Sequence, residues 1–275
     1  MKKITSALVI MGVIFGLPLA AQASPYSDLQ AFRAHFKKKF PTVKLSEFRN
    51  GVYALPIAKD QRSEWAEIMV FPPFEPELEE GKKFWKKHNL GSCFKNKGVG
   101  IAHAYPRWDN KKKEVVTAEE DINACLKSKG QKPIKNMKKG KMAAVTAYFR
   151  SMANGKPVKL DMSNPGMVAE YEYGKKFYWA RRGQLNFSCA TCHVQNAGMR
   201  IGGNILSAGL GHGTGFPVYR SKWGGLGTLH RRYGGCNKQV RAKPFKAQSR
   251  EYKALEVYET YMSSGIPIQV PSQRM

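Results

Sequence analysis

Apolar residues recur at helical spacing in several stretches of this chain, and capping or turn residues bound those stretches. Thr117 and Glu120 form a capping box before a helix that ends at Gly130. A second periodic stretch covers residues 142–154 and is followed by Gly155, a typical helix stop. This pattern predicts that the first half of the chain is mainly helical.

The second half shows the same kind of pattern. Pro165 begins a helix that ends at Gly183, and Ser249 caps a final helix that ends at Gly265. Strands are weakly signalled, and the best candidate for one is at residues 67–71. We therefore expect a mainly α protein.

One short motif indicates the chemistry. C-x-x-C-H occurs at Cys189, Cys192 and His193, and thiols at this spacing form thioethers to a haem whose iron binds the adjacent imidazole. A zinc site would need a second ligand pair, and the sequence has no other C-x-x-C or H-x3-H. The motif predicts one covalently attached haem c.

The chain also repeats itself. GKKFW at 81–85 recurs as GKKFY at 174–178, and GKPV at 155–158 recurs as GIPI at 265–268. Matches that keep the same order favour two related units over chance. A helix before the haem cysteines and another near the end of the unit is the plan of cytochrome c. We therefore predict two tandem cytochrome c-like domains, with residues 24–161 in the first and 162–275 in the second.

The copies differ where the haem would bind. When the copies are aligned on Cys93, Asn96 and Lys97 replace the second thioether cysteine and the histidine, so we expect no haem in the first domain. In an oxidising compartment Cys93 and Cys125 can pair as a disulfide, although two free thiols are the alternative. Closing a loop of about 33 residues would stabilise the domain by about 3–4 kcal/mol.

The first 23 residues have the composition of a secretory signal. Two lysines precede an apolar run over 7–20, and 21–23 read as a small-residue cleavage site. The apolar run is short for a membrane span. We expect cleavage after Ala23 and a periplasmic protein without stable membrane insertion; an uncleaved N-terminal anchor is the alternative.

The composition is strongly basic, with a formal net charge of +26 at pH 7. Without the two lysines of the signal, 44 basic and 20 acidic residues leave about +24. Such an excess attracts anions over about 8–10 Å. Nucleic acid is the usual partner of this charge, but an exported haem protein rarely meets it. We expect acidic protein partners or small inorganic anions, and no nucleic acid.

A glycine-rich stretch at 198–235 has no counterpart of equal length in the first copy. No Gly-Lys-Ser or Gly-Lys-Thr follows its glycines, which disfavours a phosphate site. We expect this stretch to be a loop close to the haem face.

The second axial position of the iron has several candidate ligands. We favour Cys236, which is the cysteine left unpaired and matches Cys125 in the repeat. Basic residues on both sides of it would favour the thiolate that binds iron. A buried or merely reactive thiol is the alternative, and the other candidate ligands are Met199, Met262, His212 and His230.

The segment RRYGGCNKQVR at 231–241, downstream of C-x-x-C-H, resembles SoxA, the cytochrome subunit of the thiosulfate-oxidising Sox system. The resemblance covers nearly the whole mature chain and is to the single-haem form, in which a disulfide replaces the first haem. Asn96 and Lys97 depart from the first haem motif of two-haem members, so no function of that haem is inferred.

The resemblance implies an L-cysteine S-thiosulfotransferase. SoxA-like chains pair with a small cytochrome, SoxX, and attach thiosulfate to a cysteine of the carrier SoxY, as found in SoxYZ. Two electrons then leave through haem to an electron-accepting cytochrome. The family's ligand cysteine, often a persulfide, corresponds to Cys236, and its substrate-binding arginine corresponds to Arg232. Guanidinium groups bind divalent oxyanions through bidentate hydrogen bonds, which is consistent with that role.

Other functions remain open from the sequence. A plain electron-transfer cytochrome would use an inert ligand such as Met199, and Arg232 would then be an ordinary surface arginine. A thiosulfate dehydrogenase would join two thiosulfates into tetrathionate. A non-catalytic haem-binding or sensor module would show no turnover.

Overall fold

The structure is a computed structural model in which residues 24–274 are described, so the predicted secretory signal lies outside the described part. Helices dominate it, and the mainly α fold class is confirmed. The helices are α1 (Pro25–Lys39), α2 (Lys59–Ile68), α3 (Glu75–Lys87), α4 (Ala118–Ser128), α5 (Lys141–Ser151), α6 (Pro165–Trp179), α7 (Leu229–Gln239) and α8 (Arg250–Met262).

The short strands form two two-stranded antiparallel sheets and one three-stranded sheet. The strands are β1 (Arg107–Asp109), β2 (Glu114–Val116), β3 (Arg200–Ile201), β4 (Asn204–Ile205), β5 (Val218–Arg220), β6 (Gly225–Gly227) and β7 (Ser272–Arg274). Antiparallel pairs join β1 to β2 and β3 to β4. The sheet has the order β6-β5-β7, in which β5 is antiparallel to β6 and parallel to β7.

Local capping signals act as the sequence predicts. Thr117 Oγ1 accepts a hydrogen bond from the backbone N of Glu120 at 3.2 Å, and Glu120 Oε2 accepts one from the backbone N of Thr117 at 3.1 Å. These bonds satisfy donors at the start of α4 that have no partner within the helix. Gly155 and Gly265 have φ of 83° and 79°, a conformation that glycine adopts most readily after a helix.

The strand predicted at residues 67–71 is wrong. Glu67 and Ile68 form the last turn of α2, and the following residues make an exposed turn in which Val70 and Phe71 are 68% and 86% exposed. None of the residues of α2 is buried, so its sequence lacks the apolar stripe that identifies a packed helix. The apolar residues that suggested a strand therefore lie in a solvent-exposed turn.

Two helix pairs cross in the same way. A Cβ atom on Gly81 of α3 would collide with the carbonyl oxygen of Ala144 in α5. A Cβ atom on Gly174 of α6 would collide with the carbonyl oxygen of Ala254 in α8. Each pair therefore depends on a glycine to let the two backbones approach closely.

The largest hydrophobic core joins α1 to the second half of the chain. Phe32 and Phe36 of α1 are 6% and 0% exposed, and they belong to the same cluster as Tyr171, Tyr178 and Tyr258. A second cluster lies between α3, α4 and α5 and includes Trp85, Ile122, Cys125 and Phe149. The prediction of two domains from the repeat did not include this packing of α1 against residues more than a hundred positions away.

The two G-x-P segments pair with each other. Gly155 N donates to Ile268 O at 3.0 Å, and Val158 N donates to Ile266 O at 3.0 Å. In the reverse direction, Gly265 N donates to Val158 O at 2.8 Å. The repeated segments thus form an antiparallel ladder that ties the two halves together.

The cysteine pair predicted for the first half is present. Cys93 and Cys125 form a disulfide with Cα atoms 5.8 Å apart and 32 positions apart in sequence. Within residues 24–274, none of the helices combines the length and apolar character needed to cross a bilayer.

Candidate haem and sulfur site

Cys192 and His193 of the C-x-x-C-H motif lie in a π-helical turn, Thr191–Gln195, and Cys189 lies just before it. Ser188 Oγ accepts a hydrogen bond from the backbone N of Thr191 at 2.9 Å and holds the start of the turn. Lys39 Nζ donates to the carbonyl of Gln195 at 2.7 Å and to that of Val194 at 3.2 Å. Carbonyls that have no partner at the end of a helix are thereby satisfied by α1. π-Helical turns are rare and often mark functional sites.

The ring of His193 is oriented by a backbone carbonyl. Its Nδ1 lies 3.0 Å from Ser207 O, which makes Nδ1 the protonated nitrogen and leaves Nε2 as the electron-pair donor. Burial lowers the pKa of His193 well below its usual value, and the nearby His212 adds to this effect. A neutral imidazole with a fixed tautomer is the form that binds iron.

The glycine-rich stretch packs on the motif, but the prediction that all of it is a loop is wrong. It contains β3 to β6 and the first residues of α7. For β5, pairing with the distant β7 supplies order that the local sequence does not signal. Gly209 N donates to His193 O at 2.7 Å, and a Cβ atom there would lie 2.6 Å from Tyr178 Oη. Glycine is needed at this position because the backbone lies directly against the motif.

Cys236 and Arg232 lie one turn apart on α7, so both side chains are on the same face of the helix. Cys236 is a half-buried free thiol. The pKa values of Cys189 and Cys192 are raised mainly by burial, and the negative charge of a thiolate at Cys236 raises both further. The positive charge of Arg232 acts on Cys192 in the opposite direction. The structure therefore brings Cys236 and Arg232 within electrostatic reach of the haem-attachment motif.

The methionine candidates for the second axial ligand are placed differently. Met199 is 56% exposed in the turn that follows the motif. Met262 is 1% exposed at the end of α8, where it belongs to the hydrophobic core.

The histidine candidates are both engaged by other groups. His230 Nδ1 accepts a hydrogen bond from the backbone N of Gln248 at 2.9 Å, and His230 Nε2 lies 3.0 Å from Glu256 Oε2. His212 packs against His193 with ring centroids 4.3 Å apart. Its Nδ1 lies 3.3 Å from Glu259 Oε1.

A buried polar network extends behind His193. Ser207 Oγ lies 2.9 Å from His212 Nε2, and Tyr233 Oη donates to Glu259 Oε2 at 2.6 Å. With the contact between His212 and Glu259, these groups connect the imidazole of the motif to α7 and α8. No sequence pattern points to this network because its members are far apart along the chain.

The residues present fit a haem c. Two free thiols and an imidazole with an available nitrogen are the donor set of that group. Tyr178 Oη is buried beside the motif without a hydrogen-bond partner among the described residues, and burial raises its pKa well above the ordinary value. Three or more His, Cys, Asp or Glu side chains do not converge as a bare metal site anywhere in residues 24–274.

Comparison with known proteins decides the family. L-cysteine S-thiosulfotransferase subunit SoxA of Chlorobaculum tepidum is 45% identical over 98% of this chain and 96% of that protein. The subunit of the same name from Allochromatium vinosum is 41% identical over 98% of this chain and 97% of its own length. The chain belongs to the SoxA family. The resemblance predicted from the sequence is confirmed, and the names of these relatives confirm the predicted enzyme class.

The structural and domain comparisons agree with this membership. The crystal structure of SoxXA from P. pantotrophus matches this member of the SoxA family with a TM-score of 0.69 and 26% identity, over 78% of this chain and 84% of that one. The family model for the SoxA/TsdA cytochrome c domain matches residues 80–158. A cytochrome c domain thus lies in the first half, upstream of the C-x-x-C-H motif, and membership in this family implies haem c as the cofactor.

Proposed function

We propose that this chain, together with a small SoxX-type cytochrome, attaches thiosulfate to a cysteine of a SoxY-type carrier protein. The observation that carries this proposal is the placement of Cys236 and Arg232 on one face of α7, beside the haem-attachment motif. The names of the relatives support the transfer of thiosulfate to cysteine, and the similarity to a SoxXA structure supports the cytochrome partner.

One haem c is held by this chain in our proposal. Cys189 and Cys192 would form the thioethers to the haem, and His193 Nε2 and Cys236 would be the protein ligands of its iron. Haem c, when bound at this position, supplies a route for electrons to leave. The hydrogen bond from His193 Nδ1 to Ser207 O fixes the imidazole in the tautomer that this ligation needs.

The first half is a related unit that does not bind haem. We assign residues 24–161 to it and residues 162–275 to the haem-binding unit, with α1 of the first unit packed on the core of the second. The glycine-dependent crossing of α3 with α5, which is repeated by α6 with α8, supports a duplicated origin. The antiparallel pairing of the two G-x-P segments supports it as well, since repeated segments meet where the units join. In the first unit the Cys93–Cys125 disulfide replaces the haem.

The reaction joins the outer sulfur of thiosulfate to the sulfur of the carrier cysteine. Formation of this S–S bond releases two electrons and the proton of the carrier thiol, and an electron-accepting cytochrome takes the electrons. Arg232 binds the oxygen atoms of the substrate through its planar, always charged guanidinium. Cys236, as thiolate or persulfide, provides the sulfur atom that links the bound substrate to the route by which electrons leave.

The place of this chemistry is the periplasm in our proposal. Residues 1–23 act as a cleaved signal that exports the chain to the compartment where covalent haem is attached. An oxidising compartment also agrees with the Cys93–Cys125 disulfide.

The test is thiosulfate oxidation by the purified complex with its SoxX-type partner and the SoxYZ carrier. Cys236→Ala is expected to abolish carrier-dependent turnover and to change the low-spin haem spectrum, while Met199→Ala keeps both. Turnover at the wild-type level in Cys236→Ala would overturn the proposal. The opposite pattern, with an altered spectrum only in Met199→Ala, would indicate a plain electron-transfer cytochrome.

Product analysis separates the remaining alternatives. Tetrathionate formed without the carrier would indicate a thiosulfate dehydrogenase. A wild-type complex that turns over no sulfur anion would indicate a haem-binding or sensor module. Mass spectrometry of the intact mature protein would report the haem number, the cleavage site after Ala23 and any sulfur added to Cys236.

A further inference from the structure

A second arginine lies near the proposed sulfur site on a different element. Arg220 is the last residue of β5, and its Cα atom pairs with that of Arg274 in the parallel neighbour β7. Partners in register present their side chains on the same face of a sheet. The strand on the other side, β6, is separated from α7 by Thr228 alone, so the sheet leads directly into the helix that carries Arg232.

An indole ring fixes the position of the Arg220 guanidinium. Arg220 Cζ lies 5.2 Å from the ring centroid of Trp223, and Arg231 Cζ lies 4.2 Å from it. Contacts between a cation and the face of Trp are favourable and hold the side chain. Gly227 makes room for the indole, because a Cβ atom there would collide with it. The indole of Trp223 therefore positions both Arg220 and Arg231.

Arg220 interacts electrostatically with both proposed site residues. Burial lowers the pKa of Arg220 to about 10, the positive charge of Arg232 contributes further, and a thiolate at Cys236 acts in the opposite direction. The surroundings of Arg231 are different. Burial lowers the pKa of Arg231, and the negative charge of Glu77 partly offsets that lowering. Two like charges brought together beside a sulfur atom favour an anion between them.

The partly buried Arg274 adds a third positive charge beside Arg220. Burial lowers the pKa of Arg274 to about 10, and the charge of Arg220 lowers it as well. Its guanidinium donates to the carbonyls of Gln273 and Arg49, both at 2.8 Å. Arg274 thus adds positive potential, while its donors are directed to the backbone.

We propose that Arg220 is a second substrate-binding arginine, which holds the oxyanion end of thiosulfate together with Arg232 beside Cys236. The inference rests on the proposed function and extends it by a residue on β5. One guanidinium can bind two oxygen atoms of a tetrahedral divalent anion, and a second guanidinium binds the remaining oxygen and the remaining charge. The reacting sulfur is then directed toward Cys236.

The test compares Arg220→Gln with Lys222→Gln in the assembled complex. Lys222 is exposed two positions away, so its replacement removes the same charge without touching the proposed site. Arg220→Gln is expected to raise the KM for thiosulfate at least tenfold with a smaller change in kcat, and to weaken competitive inhibition by sulfate to the same extent. Arg220→Lys restores part of both effects. Lys222→Gln keeps wild-type values, and all variants keep the low-spin haem spectrum.

Equal KM values and equal sulfate inhibition in Arg220→Gln and Lys222→Gln would overturn the inference. If Arg220→Gln does not fold, Arg220→Lys decides, because it keeps the charge but loses the bidentate fork; an unchanged KM in that variant also refutes the role. Calorimetric measurement of sulfate binding to the intact protein tests the role of Arg220 independently of the proposed function. Wild-type binding that is lost in Arg220→Gln would support the anion site even if carrier-dependent turnover were absent.

Discussion

Glu119 is a buried carboxyl where the two halves meet, and replacing it by Gln is expected to stabilise the protein at neutral and alkaline pH. The side chain is 7% exposed at the start of α4. Burial is the main cause that raises its pKa to about 7, and the charge of Glu256 on α8 adds to it. His230 of α7 and Arg150 of α5 act in the opposite direction.

The size and sign of the expected change in the free energy of unfolding follow from proton linkage. In the unfolded chain the carboxyl has its ordinary pKa of 4.5, so the folded state binds the proton more tightly. Stability from this group is fully present below pH 4.5 and is lost as the pH rises through about 7. The loss amounts to about 3 kcal/mol, from 1.36 kcal/mol per pKa unit. Glu119→Gln keeps the shape of the side chain and removes this loss.

The assay is denaturant unfolding of the purified haem protein between about pH 5 and pH 8. The stability of Glu119→Gln relative to wild type is expected to rise from about pH 5 to about pH 7 and then to level off, by up to about 3 kcal/mol in total. Glu79→Gln is the matched control, because Glu79 is exposed and pairs with Lys82 at 3.2 Å on the surface of α3. A difference that does not grow with pH, or a variant less stable than wild type at pH 8, would refute the reasoning.

Three further variants test the disulfide, the close packing at Gly209 and a buried hydrogen bond. Replacing Cys93 and Cys125 together by Ser should lower the free energy of unfolding by about 3–4 kcal/mol in denaturant titrations; a reductant should then destabilise only the wild type. Gly209→Ala should lower the thermal midpoint by the equivalent of about 1–3 kcal/mol, because a methyl group meets a buried tyrosine hydroxyl. Gly203→Ala, which meets nothing within 4 Å, should not change it. Tyr233→Phe should cost about 1–3 kcal/mol in the same melts by removing the donor to a buried carboxylate.

Local signals in the sequence were sufficient for much of the helical frame. The capping box at Thr117, the glycine stops at Gly155 and Gly265, and the C-x-x-C-H motif are each read from a few adjacent residues. The Cys93–Cys125 pairing followed from the alignment of the two copies and is present in the structure. Patterns of this kind act over one helical turn or one repeat, which is the range that sequence inspection can see.

Features built from distant residues could not be anticipated. Helix α7, which carries Arg232 and Cys236, contains Gly234 and Gly235, so its sequence looks like a loop. Its position is set by the sheet in which β5 pairs with β7, more than fifty residues further along the chain. The same non-local pairing places Arg220 in register with Arg274 of β7, which no local pattern encodes.

The position of α1 has a consequence for the order of assembly. This helix is made early in synthesis, yet its apolar face is covered by residues of α6 and α8 that follow more than a hundred positions later. Phe36 can pack early on the nearby ring of Phe48, but the core contacts with α6 and α8 must wait for those residues, and closing such a long loop is slow. Helix α1 comes first in chain order among the helices of residues 24–274, yet it is among the last to dock, and shortened chains that end before α6 would expose an apolar surface prone to aggregation.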